Sequence, residues 1–210
     1  MEYTVDAMHW RASTTNPAGR PPPAGGTGGV PPGSTVAPAV TASFVCEGGP
    51  VGATIRDYAP GDKEAVVELS LRAWAPVFRS MEQVLGPEIF VRLHGDWQAF
   101  QERAVREVLS DEAMHIWVAE AGGRVVAFAA ATLYLERAMG EISMLAVDPA
   151  DQDRGTGTAL TEFVTAWLGE AGARVAMIDT GGDPGHAPAR HVYEKAGYTQ
   201  IPIARYFRAL

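Results

Sequence analysis

Residues Glu141 to Leu168 read EISMLAVDPADQDRGTGTALTEFVTAWL, and three local patterns follow one another in them. Ile142 to Val147 is a short apolar run ending at Asp148-Pro149. That run predicts a buried strand stopped by a proline, which has no N–H to give to a ladder. Gln152-Asp153-Arg154-Gly155-Thr156-Gly157 is a polar loop with two glycines. From Thr158 the period becomes helical, with Leu160, Phe163, Val164, Trp167 and Leu168 at spacings of three and four.

A strand, a glycine loop and a helix start make an anion seat. The first turn of a helix carries N–H groups without intrahelical partners, and its dipole makes that end positive. Glycines let a phosphate, here most naturally a pyrophosphate, approach the backbone closely. A tight turn linking strand to helix would use the same glycines. A P-loop would need G-x-x-x-x-G-K-[ST], which the chain lacks. Gly155 and Gly157 fit the first two glycines of G-x-G-x-x-G, but Leu160 stands at the third. What remains is Q-x-x-G-x-G shortly after a strand ending in V-D-P.

That pattern resembles the GNAT superfamily of acetyl-CoA-dependent N-acetyltransferases, with Gln152, Gly155 and Gly157 matching and Arg154 at the usual basic position. A second string strengthens the likeness. Ala189 to Tyr198 reads ARHVYEKAGY, matching the A-x-x-x-Y-x-x-x-G-[FY] helix that follows the fifth strand in many GNAT proteins. Two motifs in the right order, separated by a helix and a strand, are more specific than either alone. The likeness covers roughly Ala53 to Leu210.

The resemblance implies an α/β (α+β) fold: a mixed, mostly antiparallel central sheet of six to seven strands flanked by about four helices. It also implies acetyl-CoA as cosubstrate, with Leu145, Ala146 and Val147 along the pantetheine arm. Gln152, Asp153, Arg154, Gly155, Thr156, Gly157 and Thr158 are expected around the pyrophosphate. Tyr193 takes the place of the residue that protonates the departing thiolate. Seven residues earlier, where many relatives have a coenzyme-binding asparagine, this chain has His186. Its imidazole is able to donate a hydrogen bond or act as a base. Glu141 and Asp179, at the start of the fourth strand and the end of the fifth, are the candidate bases.

Downstream of the central stretch, Gly169 to Gly172 stops the helix, and Arg174 to Asp179 (RVAMID) reads as a buried strand. A glycine-rich loop, Gly181 to Gly185, leads into a short helix over Ala187 to Ala196. Tyr198 to Ile201 and Ile203 to Phe207 read as closing strands. Upstream, His115 to Glu120 and Arg124 to Tyr134 flank Gly122-Gly123 and predict a hairpin. The small residues Ala127, Ala129, Ala130 and Ala131 predict a helix or ligand packed closely on that sheet. Leu135 to Gly140 reads as a loop.

Earlier still, Ala53 to Tyr58 reads as a first strand, and Pro60-Gly61-Asp62 as a turn into a helix carrying Ala65, Val66, Leu69 and Ala73. Pro76 is expected to break this helix, and Pro87 to Leu109 to form one further helix. In GNAT-like proteins this aromatic region, here with Trp74, Phe78 and Trp97, covers the acceptor site. Ordinary core packing accounts for the same aromatics.

Composition sets outer bounds. Residues 16–35 are dominated by proline and glycine, so 1–50 are expected to be a disordered extension and 51–210 the catalytic domain. The net charge of −8 argues against a nucleic-acid partner and suits a cationic acceptor. Cys46 is the only cysteine, and the five histidines lack metal-ligand spacing, so no disulfide and no metal site are expected. No apolar run reaches a membrane-spanning length, and no secretory signal opens the chain, so the cytoplasm is the expected compartment.

The function expected is acetyl transfer to the primary amine of a small molecule, with Tyr193 as general acid. Acetylation of a protein N-terminus or lysine, and a non-catalytic acyl-CoA-binding module, are the alternatives. A homodimer is left open.

Overall fold

The computed structural model describes residues 53–210. The expected extension over 1–50 lies outside the described residues. One sheet carries five strands in sequential order: β1 (Thr54–Asp57), β2 (His115–Ala121), β3 (Arg124–Tyr134), β4 (Met139–Val147) and β5 (Val175–Ile178). β1 to β4 pair antiparallel, and β4 pairs with β5 parallel. The β2–β3 hairpin turns on Gly122 and Gly123 at φ 58° and 74°, the left-handed backbone that a two-residue hairpin turn requires. The parallel pair needs a crossover, which the helix α4 (Thr156–Glu170) supplies.

Helices cover both faces. On one lie α1 (Lys63–Leu85), α2 (Pro87–His94) and α3 (Trp97–Val108). Their Val66, Leu69, Trp74, Phe78, Phe90 and Val105 pack with Phe128, Ala130, Met144 and Ala146 of the sheet. On the other lies α4, with Leu160, Val164 and Leu168 fully buried against Ala127, Ala129, Ala131 and Ile142. The alanine run of β3 thus serves both faces: its small side chains let helices approach the sheet. Gly140 carries this to its limit, since a Cβ there would lie 2.3 Å from Leu168 Cδ2. The last helix, α5 (Ala187–Lys195), packs on α4.

Four local expectations are corrected. Pro76 does not break its helix; it lies inside α1. It lacks the N–H that would bond to the Arg72 carbonyl, but the flanking Trp74 and Phe78 are buried, and this packing outweighs a helix penalty of about 3 kcal/mol. The single helix expected over Pro87 to Leu109 is two. Gly95 turns the chain at φ 53°, and Asp96 caps α3 by accepting from the Ala99 N–H at 3.2 Å. Leu135 to Gly140 is not all loop: after a short 3-10 turn, β4 already begins at Met139.

The largest correction is at the end of the chain. No strand forms after β5, and among the described residues the sheet has five strands where six to seven were expected. Ile201 and Ile203 are 77% and 72% exposed. Alternating apolar residues give a strand tendency, but a strand exists only when its backbone is paired, and Pro202, between the two expected strands, has no N–H to pair.

Candidate active site

β4 and β5 diverge at one edge of the sheet, where β5 is the last strand. Their pairing ends at Ile142 with Ile178, while β4 stays paired to β3 as far as Val147. Just past that last pair β4 bulges: Ala130 opposes Met144 and Ala131 opposes Ile142, leaving Ser143 as the extra residue. Beyond the bulge, the edge of β4 toward β5 has no strand partner, and Leu145, Ala146 and Val147 lie there.

The loop after β4 is held from both ends. The Gln152 amide donates to the Val147 carbonyl at 3.0 Å. Asp148, almost fully buried, accepts from the Ala150 N–H at 3.0 Å and from Arg72 of α1 at 2.7 Å. Burial opposes ionisation of Asp148, but these donors outweigh it and hold the carboxyl below its usual range. Asp151, also buried, takes Arg124 at 2.8 Å and Arg154 at 3.1 Å. Arg154 is therefore tethered to the loop, with its side chain half exposed.

Asp153 and Gly155 both take positive φ, 60° and 83°, and curl the chain into α4. Gly155 is the N-cap and no side chain caps the helix, so the N–H groups of Thr156, Gly157 and Thr158 keep the start of α4 positive. A Cβ at Gly157 would come within 3.4 Å of Val147 and 3.7 Å of Val192, so a side chain there would fill the space between β4, α4 and α5.

The second constellation comes from α5 and the loop before it. His186 and Tyr193 are the two buried side chains of this segment, seven residues and two helical turns apart on one face. The Tyr193 ring lies 6.4 Å from that of Tyr198, whose hydroxyl shares a 2.6 Å hydrogen bond with Thr165 of α4. His186 Nδ1 is bonded to Asp183. Asp183 also accepts from the Ser80 hydroxyl of α1 at 2.7 Å and from the Gly185 N–H at 3.0 Å. Burial works against the charge on Asp183, yet the donors win and hold its pKa low.

The two candidate bases sit differently. Glu141 is buried in the paired part of β4, opposite Thr132, and accepts from the Tyr134 hydroxyl at 3.0 Å. Asp179 follows the last residue of β5. It is exposed by area, yet the protein around it still pushes its carboxyl upward, with Arg205 opposing. Among the described residues no group of three or more His, Cys, Asp or Glu side chains is arranged to hold a metal, and no helix is long and apolar enough to cross a membrane.

The sequence reading missed Ser80, Asp148 and Asp183. Asp183-Pro184 carries a legible signal, an Asx turn before a helix. Ser80 carries none, because its partner is 103 residues away.

Three comparisons bear on this geometry. A mycothiol acetyltransferase from Saccharomonospora viridis is 30% identical over 164 residues, 72% of this chain and 47% of that protein. The chain thus spans about half the length of the curated relatives it matches. Among solved structures, the ribosomal-protein-S18-alanine N-acetyltransferase of Escherichia coli is similar at a TM-score of 0.53 and 21% identity, covering 71% of this chain and 79% of that one. An aminoglycoside antibiotic 6'-N-acetyltransferase from Acinetobacter haemolyticus is similar at 0.53 and 15% identity, covering 74% and 97%. These two likenesses concern the fold alone. The sequence model of the acetyltransferase (GNAT) family matches residues 75–198, which span the split strands, the glycine loop and the Tyr193 helix; the chain belongs to that family.

Proposed function

We propose that this protein transfers the acetyl group of acetyl-CoA to the primary amine of a small molecule, with Tyr193 as general acid. The observation that carries the reading is the uncapped start of α4 beside the unpaired end of β4. Together they offer an anion seat and a free strand edge, which suits a ligand with a pyrophosphate at one end and an amide-bearing arm at the other. Gly155, where a Cβ would meet nothing within 4 Å, leaves the backbone of the loop open to the same ligand.

Bound there, acetyl-CoA supplies an activated thioester. The chain's own groups then have three tasks. Backbone groups of Leu145, Ala146 and Val147 align the arm, and an N–H of the bulged strand stabilises negative charge developing on the carbonyl oxygen. Thr156, Gly157 and Thr158 hold phosphate, with Gln152, Asp153 and Arg154 shaping the loop. Tyr193 gives its proton to the leaving sulfur. Glu141 and Asp179 add negative charge that attracts an ammonium group. The small-molecule acceptor is supported by the mycothiol acetyltransferases at about 30% identity and by the acidic charge of the chain.

The test is acetyl-CoA consumption across a panel of amino sugars, polyamines, amino-acid amides and lysine peptides. Turnover of small amines supports the reading. Turnover of peptides alone moves the acceptor to protein. Tight acetyl-CoA binding with no turnover reduces the chain to a binding module.

A further inference from the structure

We infer that His186 is the proton acceptor for the attacking amine, with Asp183 and Ser80 as its positioning residues. This rests on the acetyltransferase reading above and replaces a coenzyme-binding role for His186 with a catalytic one. Asp183 accepts donors from Ser80, Gly185 and His186 at once, a set that favours its ionised form. Facing a carboxylate, His186 Nδ1 must be the donor. In the neutral ring that leaves Nε2 as an acceptor with a lone pair, the form a base requires. The third member fixes the orientation: the Ser80 hydroxyl accepts from the Gly185 N–H at 2.8 Å while donating to Asp183, so α1 clamps the loop from outside.

The imidazole is placed by the segment that follows β5. It lies against the chain leaving β5, where a Cβ on Gly181 would meet Nδ1 at 2.5 Å and Cε1 at 2.7 Å. Gly181 is three residues past Ile178, the last residue of β5 to pair with β4. Tyr193, the buried side chain of α5, follows seven residues on. The ionisable groups around the ring are Asp183 in its own loop and Arg190 of α5, whose guanidinium bonds the Gly181 and Asp183 carbonyls. α1 contributes the neutral Ser80, and β5 leads into Asp179. Glu141, by contrast, lies in the paired part of β4 and is engaged by Tyr134.

The step balances with two proton transfers. The amine nitrogen forms the new C–N bond to the thioester carbonyl as the C–S bond breaks. The surplus N–H proton passes to His186 Nε2, and the thiolate takes the Tyr193 proton. The enzyme resets when the imidazolium returns a proton to the phenolate through solvent.

The test has two arms. In the first, ¹⁵N-edited imidazole spectra of the full chain should show a protonated Nδ1 on His186, lost in Asp183→Asn. An Nε2–H tautomer would overturn the inference without touching the acetyltransferase reading. In the second, with an amine that the wild type turns over, His186→Asn should keep acetyl-CoA affinity but lose about 10²–10⁴-fold in kcat, as expected for a positioned base. His186→Ala should recover part of that loss in added imidazole, and Ser80→Ala should show a smaller fall in kcat. If His186→Asn keeps full kcat while Glu141→Gln or Asp179→Asn abolishes it, the base lies there instead. A wild type that acetylates no amine removes the acetyltransferase reading and this inference with it.

Discussion

At Tyr193 the ring and the hydroxyl do different things. The ring is buried between α5 and the Tyr198 side, so it contributes packing whatever the chemistry. Tyr193→Phe keeps the ring and removes the hydroxyl that would donate the proton. With an acceptor that the wild type turns over and chemistry rate-limiting, kcat should fall by about 10²–10⁴-fold, less where water substitutes as acid. Acetyl-CoA affinity should hold, because the proposed phosphate seat is on α4; full kcat across the pH range would make Tyr193 a packing residue. Asp148 gives a stability prediction at the same scale. Its carboxyl joins the end of β4 to α1 through Arg72, and its folded pKa lies below the unfolded one. Its contribution is therefore complete above an unfolded value of about 3.9 and disappears as the pH falls through the folded one. Asp148→Ala should lower stability at pH 7 by about 1–3 kcal/mol, toward the lower end because Arg72 is half exposed. In denaturant melts the gap from wild type should close on acidification below pH 4; a gap that stays constant would show that the charge is irrelevant.

Among the elements, the start of α4 does the most with the least. Fifteen residues of helix begin at a glycine with no capping side chain, a choice that leaves the donors open. Gly157→Glu would place a chain and a negative charge in the gap between Val147 and Val192. Acetyl-CoA binding should vanish in calorimetry while the melting curve keeps its cooperativity, because a Cβ at Gly157 meets its neighbours no closer than 3.4 Å. Unchanged affinity with an unchanged melt would show that the phosphate seat is elsewhere. The bulge at Ser143 works with this helix. By adding one residue to β4 just past its last pair with β5, it lets the strand bend away, and the split opens beside α4's first turn.

At the scale of the described domain, helices lie on both faces of one sheet, and every residue proposed for the site lies between Ser80 and Tyr193 in the chain. The Pro/Gly-rich stretch is far from them in sequence, and its composition offers little apolar surface to bury. Deleting residues 1–50 should therefore leave the melting temperature and acetyl-CoA affinity unchanged; a clear fall in either would mean that this segment packs on the domain.

What the sequence by itself determined is local. The apolar run at Ile142, the glycine pair and the three-and-four spacing through Leu168 state strand, loop and helix, because those patterns depend on near neighbours. Gly122-Gly123 states a hairpin for the same reason, and Gly95-Asp96 carried a legible break that the longer helical pattern hid. The tertiary structure decided what depends on distant partners. Pro76 stays in a helix because Trp74 and Phe78 are buried by the sheet. The apolar residues after Tyr198 form no strand because no backbone pairs with them. Ser80 finds Asp183 across 103 residues, and Asp183 in turn holds the His186 ring at Nδ1. A side chain's type is written in the sequence, but its protonation and direction follow from the donors and acceptors that folding brings to it.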